Sequence, residues 1–276
     1  MPRKPDPPPD DILERIRRHL TLLGLTHVAE HLDEHLAWAT KERPAASALL
    51  ERIFSAQAAV KLERRIERRL AQSHLPALKT LENFDWLFQP KLDKSAVMEL
   101  ARLDFVRRAE DLILTGKSGT GKSHLLMAFG VRACQQQITV RYARCVDLLD
   151  DLYAGLGDGT YATRLKRWCA PALLIIDDVG LGQVRKRDDE PTAAHTLYNL
   201  IDQRHTKTAT AITSNIKLSA WGRYLGDATV AAALLDRLAM RAVRIDIDGP
   251  SYRQHVAHER ARERGGSSPD DSTADP

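Results

Sequence analysis

The chain has 276 residues, 43 % apolar and 28 % charged, a globular balance that excludes a collagen-like or wholly disordered chain. Its net charge of +4 and pI near 9.0 suit a nucleic-acid partner without demanding one. Three cysteines (Cys134, Cys145 and Cys169) show no metal-ligand spacing, and read as reduced core thiols of a cytosolic protein.

Residues 1–10 are rich in Pro and Asp, and a disordered tail is expected there. They hold no apolar core of a secretory signal. No apolar run reaches the roughly 20 residues of a membrane helix. A cytoplasmic protein without a membrane partner is expected.

Residues 11–75 read as a small helical domain. Ile12, Leu13, Ile16 and Leu20 recur at helical spacing behind Asp10 or Asp11 as N-cap. Gly24 interrupts, and a second helix is predicted through Val28, Leu32, His35 and Leu36. After Pro44 a long third helix is predicted from near Ser47 past Leu70. Lys61, Arg64, Arg65, Arg68 and Arg69 lie on it, with Glu63 and Glu67 interleaved. Such a face either contacts phosphates or is a solvated, ion-paired surface. Residues 76–110 read as a connector that includes Leu81, Phe84, Trp86, Leu87 and Phe88.

From Asp111 short β-like runs alternate with helical stretches: 111–115, 138–143, 172–177, 209–214 and 242–247. This alternation predicts an α/β fold over 111–253, with a parallel sheet and helices on both faces. Residues 254–276 read as a basic helix running into a second disordered tail.

The first run leads into Gly116, Lys117, Ser118, Gly119, Thr120, Gly121, Lys122 and Ser123, a complete G-x-x-x-x-G-K-[ST] phosphate loop opening a helix. Glycines let the backbone wrap phosphate oxygens, and the helix N-terminus favours the anion. Lys122 is expected to reach the β- and γ-phosphates of ATP, and the Ser123 hydroxyl to ligate Mg²⁺. The buried run 173–176 ends in Asp177 and Asp178. Asp177 is placed to hold Mg²⁺ through water, and Asp178 to polarise the attacking water. Asn215, at the tip of the 209–214 strand, either contacts the γ-phosphate or caps a turn. A helical pattern over 231–242 carries Arg237 and Arg241, four apart. These are either exposed helix arginines or an arginine finger for a neighbouring subunit. Arg185, Lys186 and Arg187 form a second basic stretch.

The segments LENFDWLFQP, LILTGKSGTGKSHLLMAFGVRAC, LLIIDDVG, ITSN with WGRYLGD, and AAALLDRLAMRAVRIDIDGPSYR together resemble the IstB family of transposition helper ATPases. These are AAA+ proteins related to DnaC-like helicase loaders. The resemblance implies an AAA+ core with a five-stranded sheet. Asn215 then looks like the sensor-1 residue, and Arg237 like the arginine finger, with Arg241 the alternative. Phe84 and Asp85 fall where the family lines the base edge, and His124 follows the loop serine as in many members. Asp177–Asp178 replaces the common Asp-Glu pair, and the shorter side chain predicts slower hydrolysis. About thirty residues follow the last strand, too few for a C-terminal lid domain. The implied function is an ATP-dependent homo-oligomer on DNA, with little sequence preference, stimulating a transposase encoded nearby. A helicase loader is the alternative. The basic helix and the 185–187 stretch then become candidate DNA contacts.

Overall fold

The computed structural model describes residues 12–184 and 190–265. The Pro-rich start with its Asp10 or Asp11 cap, the Arg185, Lys186 and Arg187 stretch, and the tail from 266 lie outside the described residues. The chain divides into two compact units, Met1–Arg68 and Arg69–Pro276.

The N-terminal unit holds α1 (Ile12–Leu22), α2 (Thr26–Glu30), α3 (Leu32–Glu42) and most of α4 (Ala46–Ser73). The helix expected through Val28 and Leu36 is broken in two. His31, with φ −106° and ψ 17°, leaves helical geometry and separates α2 from α3. Its ring nitrogen Nδ1 hydrogen-bonds the His27 carbonyl at 2.9 Å, the same oxygen that accepts from His31 N at 3.1 Å. Val28 and Leu32 are the buried apolar side chains among this unit's described residues. The buried Gln57 accepts from Val28 N at 3.3 Å.

In the second unit, α5 (Lys94–Leu100) and α6 (Asp104–Arg107) occupy the stretch read as connector. Asp93 caps α5 by accepting from Ser95 N and Ala96 N, a cap that marks the helix in the sequence. The remaining elements are β1 (Asp111–Gly116), α7 (Lys122–Gln135), β2 (Val140–Arg144), α8 (Cys145–Gly157), α9 (Tyr161–Cys169), β3 (Leu173–Val179), α10 (Ala193–Arg204), β4 (Ala209–Ser214), α11 (Trp221–Leu225), α12 (Ala228–Ala239), β5 (Ala242–Ile247) and α13 (Tyr252–Gly265). The five strands form one parallel sheet in the order β2-β3-β4-β1-β5. β2 begins later than expected, because Gln137 turns left-handed and Ile138 N still bonds the Ala133 carbonyl that ends α7.

Strands β1, β3 and β4 are buried almost throughout, as central parallel strands covered on both faces must be. Alternate residues feed two cores. Ile113, Leu174, Ile176 and Ile212 pack with Leu148, Trp168, Leu197, Trp221 and Leu234 on one face. Leu112, Leu114, Leu173 and Ile175 pack with Val97, Phe105, Leu125 and Phe129 on the other. At the carboxyl ends of the strands, where ligands bind in such sheets, the β3–β4 register shifts between Ile176 and Val179. Asp178 there takes φ +61°, a left-handed conformation costing roughly 1–2 kcal/mol for a residue with a Cβ. Among the described residues no helix is long and apolar enough to cross a membrane.

Candidate functional site

The loop from Gly116 to Gly121 joins β1 to α7. Gly121 has φ +98°, and a Cβ there would lie 2.6 Å from the Phe84 ring. A side chain is therefore excluded on two grounds, conformation and the aromatic wall. Lys122 opens α7, buried to 4 % exposure, and its Nζ donates to the Gly116 and Lys117 carbonyls at 2.8 and 2.7 Å. Burial lowers its pKa to about 8, opposed by the Asp178 and Asp177 carboxylates and reinforced by Arg253. An anion in the loop would favour the charged form.

Asp177, at 2 % exposure, gathers three hydroxyls. Ser123 Oγ donates to Oδ1 at 2.9 Å, Thr213 Oγ1 donates to the same oxygen, and the Tyr142 hydroxyl donates to Oδ2 at 2.8 Å. Magnesium selects hard oxygen donors. A serine hydroxyl and a carboxylate already within bonding distance of each other fit that requirement. The left-handed turn at Asp178 sends the next carboxylate elsewhere. Its Oδ1 accepts from Asn215 Nδ2 at 2.9 Å, and its amide donates to Thr213 Oγ1 at 2.8 Å. Asn215 lines the cavity with its side chain engaged at Asp178.

A cavity of about 240 Å³ lies beside the loop. Phe84, Asp85, Phe88, His124, Tyr252 and Arg253 line it together with Gly119 through Ser123. His124 Nε2 hydrogen-bonds the Thr80 carbonyl at 2.8 Å, and its ring meets Phe84 edge-on at 5.3 Å. Burial lowers its pKa. Asp85 accepts from Phe88 N at 3.0 Å, closing the turn that sets the aromatic wall.

Neither candidate arginine finger reaches its own loop. Arg237, on α12, pairs with Asp202 at 2.9 Å and hydrogen-bonds Tyr198, which raises its pKa. The helix ends at Ala239, so Arg241 lies past it, not one turn along the same face as the spacing suggested. Arg241 bonds the Arg108 carbonyl at 3.1 Å, beside the start of β1 and hence at the opposite end of that strand from Gly116.

On α4, Lys61, Arg64, Arg65 and Arg68 are exposed, and among the described residues none of them is in an ion pair. Arg69 differs: it is half-buried, and its Nε donates to Gln137 at 3.4 Å.

Three contributors went unassigned in the sequence. Tyr142 is one of them, and only the pairing of β2 beside β3 brings its hydroxyl to Asp177. Tyr252 and Arg253 are the others. Tyr252 N donates to the Gly119 carbonyl at 2.9 Å, seating the start of α13 on the loop. Both lie in the GPSYR end of the last family-like segment, where no role was assigned to either.

A family profile described as "IstB-like ATP binding protein" matches residues 18–260. The chain is 30 % identical to a protein described as the ATP-binding protein of insertion sequence IS5376 of Geobacillus stearothermophilus, over 87 % of this chain and 94 % of that one. It is 32 % identical to the counterpart from insertion sequence IS21 of Pseudomonas aeruginosa, over 85 % and 86 %. Among solved structures it is similar to AMPPCP-bound DnaA from Aquifex aeolicus, with TM-score 0.52 and 21 % identity over 69 % of this chain. It spans 56 % of that chain, and at this identity the likeness speaks for the AAA+ fold alone.

Proposed function

Since the chain belongs to the IstB-like ATP-binding protein family, we propose that it is a transposition helper that hydrolyses ATP at sites shared between subunits assembled on DNA, and that it stimulates a transposase encoded beside it. The observation that carries this reading is a division of labour. Gly119 to Ser123 and Asn215 line one cavity, with Asp177 bonded to Ser123 and Asp178 to Asn215 directly behind them, while Arg237 is held on α12, outside it.

In this reading the backbone amides of Gly116 to Ser123 cradle the triphosphate and Lys122 moves from the loop carbonyls to the phosphate oxygens. Phe84, Asp85 and Phe88 wall the base, with His124 packed behind Phe84. Ser123 and Asp177 hold Mg²⁺, which supplies charge neutralisation on the phosphate oxygens. Asp178 accepts a proton from the attacking water, and Asn215 orients both the water and Asp178. Arg237 of a neighbouring subunit supports the charge on the transferring phosphoryl group. Lys61, Arg64, Arg65 and Arg68 contact DNA phosphates, binding without reading bases.

The test is ATP turnover with and without double-stranded DNA over a range of protein concentrations. A shared site predicts turnover per chain that rises with both. Flat turnover in both would instead indicate a self-contained site and a small-molecule acceptor.

A further inference from the structure

A different set of ligating side chains lies in the N-terminal unit. His27, Glu30 and His31 stand at i, i+3 and i+4 along α2 and its C-terminal cap. That spacing brings them to one helical face. One ligating atom from each lies within 4.8 Å of the other two. The imidazole centroids are 4.3 Å apart.

Three further features separate this group from a chance surface cluster. The His31 Nδ1 is already bonded to the His27 carbonyl at 2.9 Å. Such a bond fixes the ring's tautomer and leaves Nε2 as the ligating nitrogen, the arrangement that outer partners impose on metal-bound histidines. Glu30 is exposed and makes no ion pair among the described residues, so its carboxylate is not already neutralised. His35, one turn beyond His31, is buried with neither ring nitrogen hydrogen-bonded. Burial, with Arg52 next in effect, lowers its pKa. Arg52 and Glu34 stand nearby as opposing charges.

We propose that His27, Glu30 and His31 form a binding site for one divalent transition-metal ion of the zinc class, with water as the fourth ligand. Two imidazoles and a carboxylate are a borderline donor set suited to Zn²⁺, whereas Ca²⁺ and Mg²⁺ select oxygen alone. The ion spans the break at His31, with two ligands on α2 and the third at the junction with α3. It fixes the cap at which the chain leaves α2. A unit whose described residues bury few apolar side chains gains comparatively much from such a staple.

The experiment uses the full chain without a histidine tag, stripped by chelation and kept in saturating Mg²⁺ so that the nucleotide site is not the one titrated. Zn²⁺ binding is followed by calorimetry, and Co²⁺ is used as a visible reporter of coordination. One ion per chain is expected, with the absorption of a four-coordinate site and a rise in melting temperature. His27→Ala and His31→Ala should each weaken binding by roughly tenfold or more. Glu30→Gln, which keeps shape and solubility, should weaken it as well and abolish the thermal shift while circular dichroism stays unchanged. Affinity that is unaltered in all three variants, or no stoichiometric binding by the parent chain, overturns the proposal.

Discussion

Mixing two inactive variants is the most discriminating test of a shared ATP site. Lys122→Ala removes the phosphate-reaching amine from the loop, and Arg237→Ala removes the guanidinium held by Asp202 on α12. Each homogeneous protein should be nearly silent, since a transition-state arginine is worth about 10³–10⁵ in turnover. In an equimolar mixture that assembles at random, a site is whole when one chain supplies an intact loop and its neighbour an intact Arg237. Each condition holds half the time, so about a quarter of parental turnover should return. The assay is steady-state phosphate release on DNA, at fixed total protein and varied mixing ratio, with a maximum near equal amounts. Arg237→Ala alone should still bind ATP, because its side chain lies outside the cavity of its own chain. Activity that stays at the sum of the two separate variants, or Arg237→Ala that turns over normally, refutes the reasoning.

Asp178→Asn should keep ATP affinity while lowering single-turnover hydrolysis by roughly 10²–10⁴, the usual worth of a positioned base. Arg253→Ala should weaken ATP binding by about 1.5–3 kcal/mol, as for a lost charged hydrogen bond, and fluorescence titration with a labelled nucleotide measures it. Replacing Lys61, Arg64, Arg65 and Arg68 together by Ala should weaken DNA binding alike for unrelated sequences. If all four touch phosphates, the salt slope of log K should fall in magnitude by about 3.6. Burial raises the pKa of Cys145 to about 12 and of Cys134 to about 11. At pH 8 their thiolate fractions are about 10⁻⁴ and 10⁻³, so alkylation of the native protein should label the half-buried Cys169 first, as peptide mapping would show.

The nucleotide loop and the five strands were legible because both signals are local. A phosphate loop needs its glycines, lysine and serine in sequence, and a buried parallel strand is a continuous apolar run. The parts that escaped depend on chain segments distant in sequence. Tyr142 joins Asp177 only through strand pairing, and Arg253 comes to the loop only through the seating of Tyr252 on Gly119. The break at His31 was hidden because Val28, Leu32 and Leu36 continue the helical period across it, whereas the bond that accompanies it is made by a single imidazole. The spacing of Arg237 and Arg241 misled for the converse reason. A period of four says nothing about where the helix stops.

The left-handed backbone at Asp178 carries a consequence for stability. Glycine would adopt that conformation freely, so the residue best suited to the turn is not the one present. On backbone strain alone glycine would be preferred there, at the loss of the carboxylate proposed to accept the water's proton. Under the proposed mechanism, an aspartate at such a position trades durability for turnover.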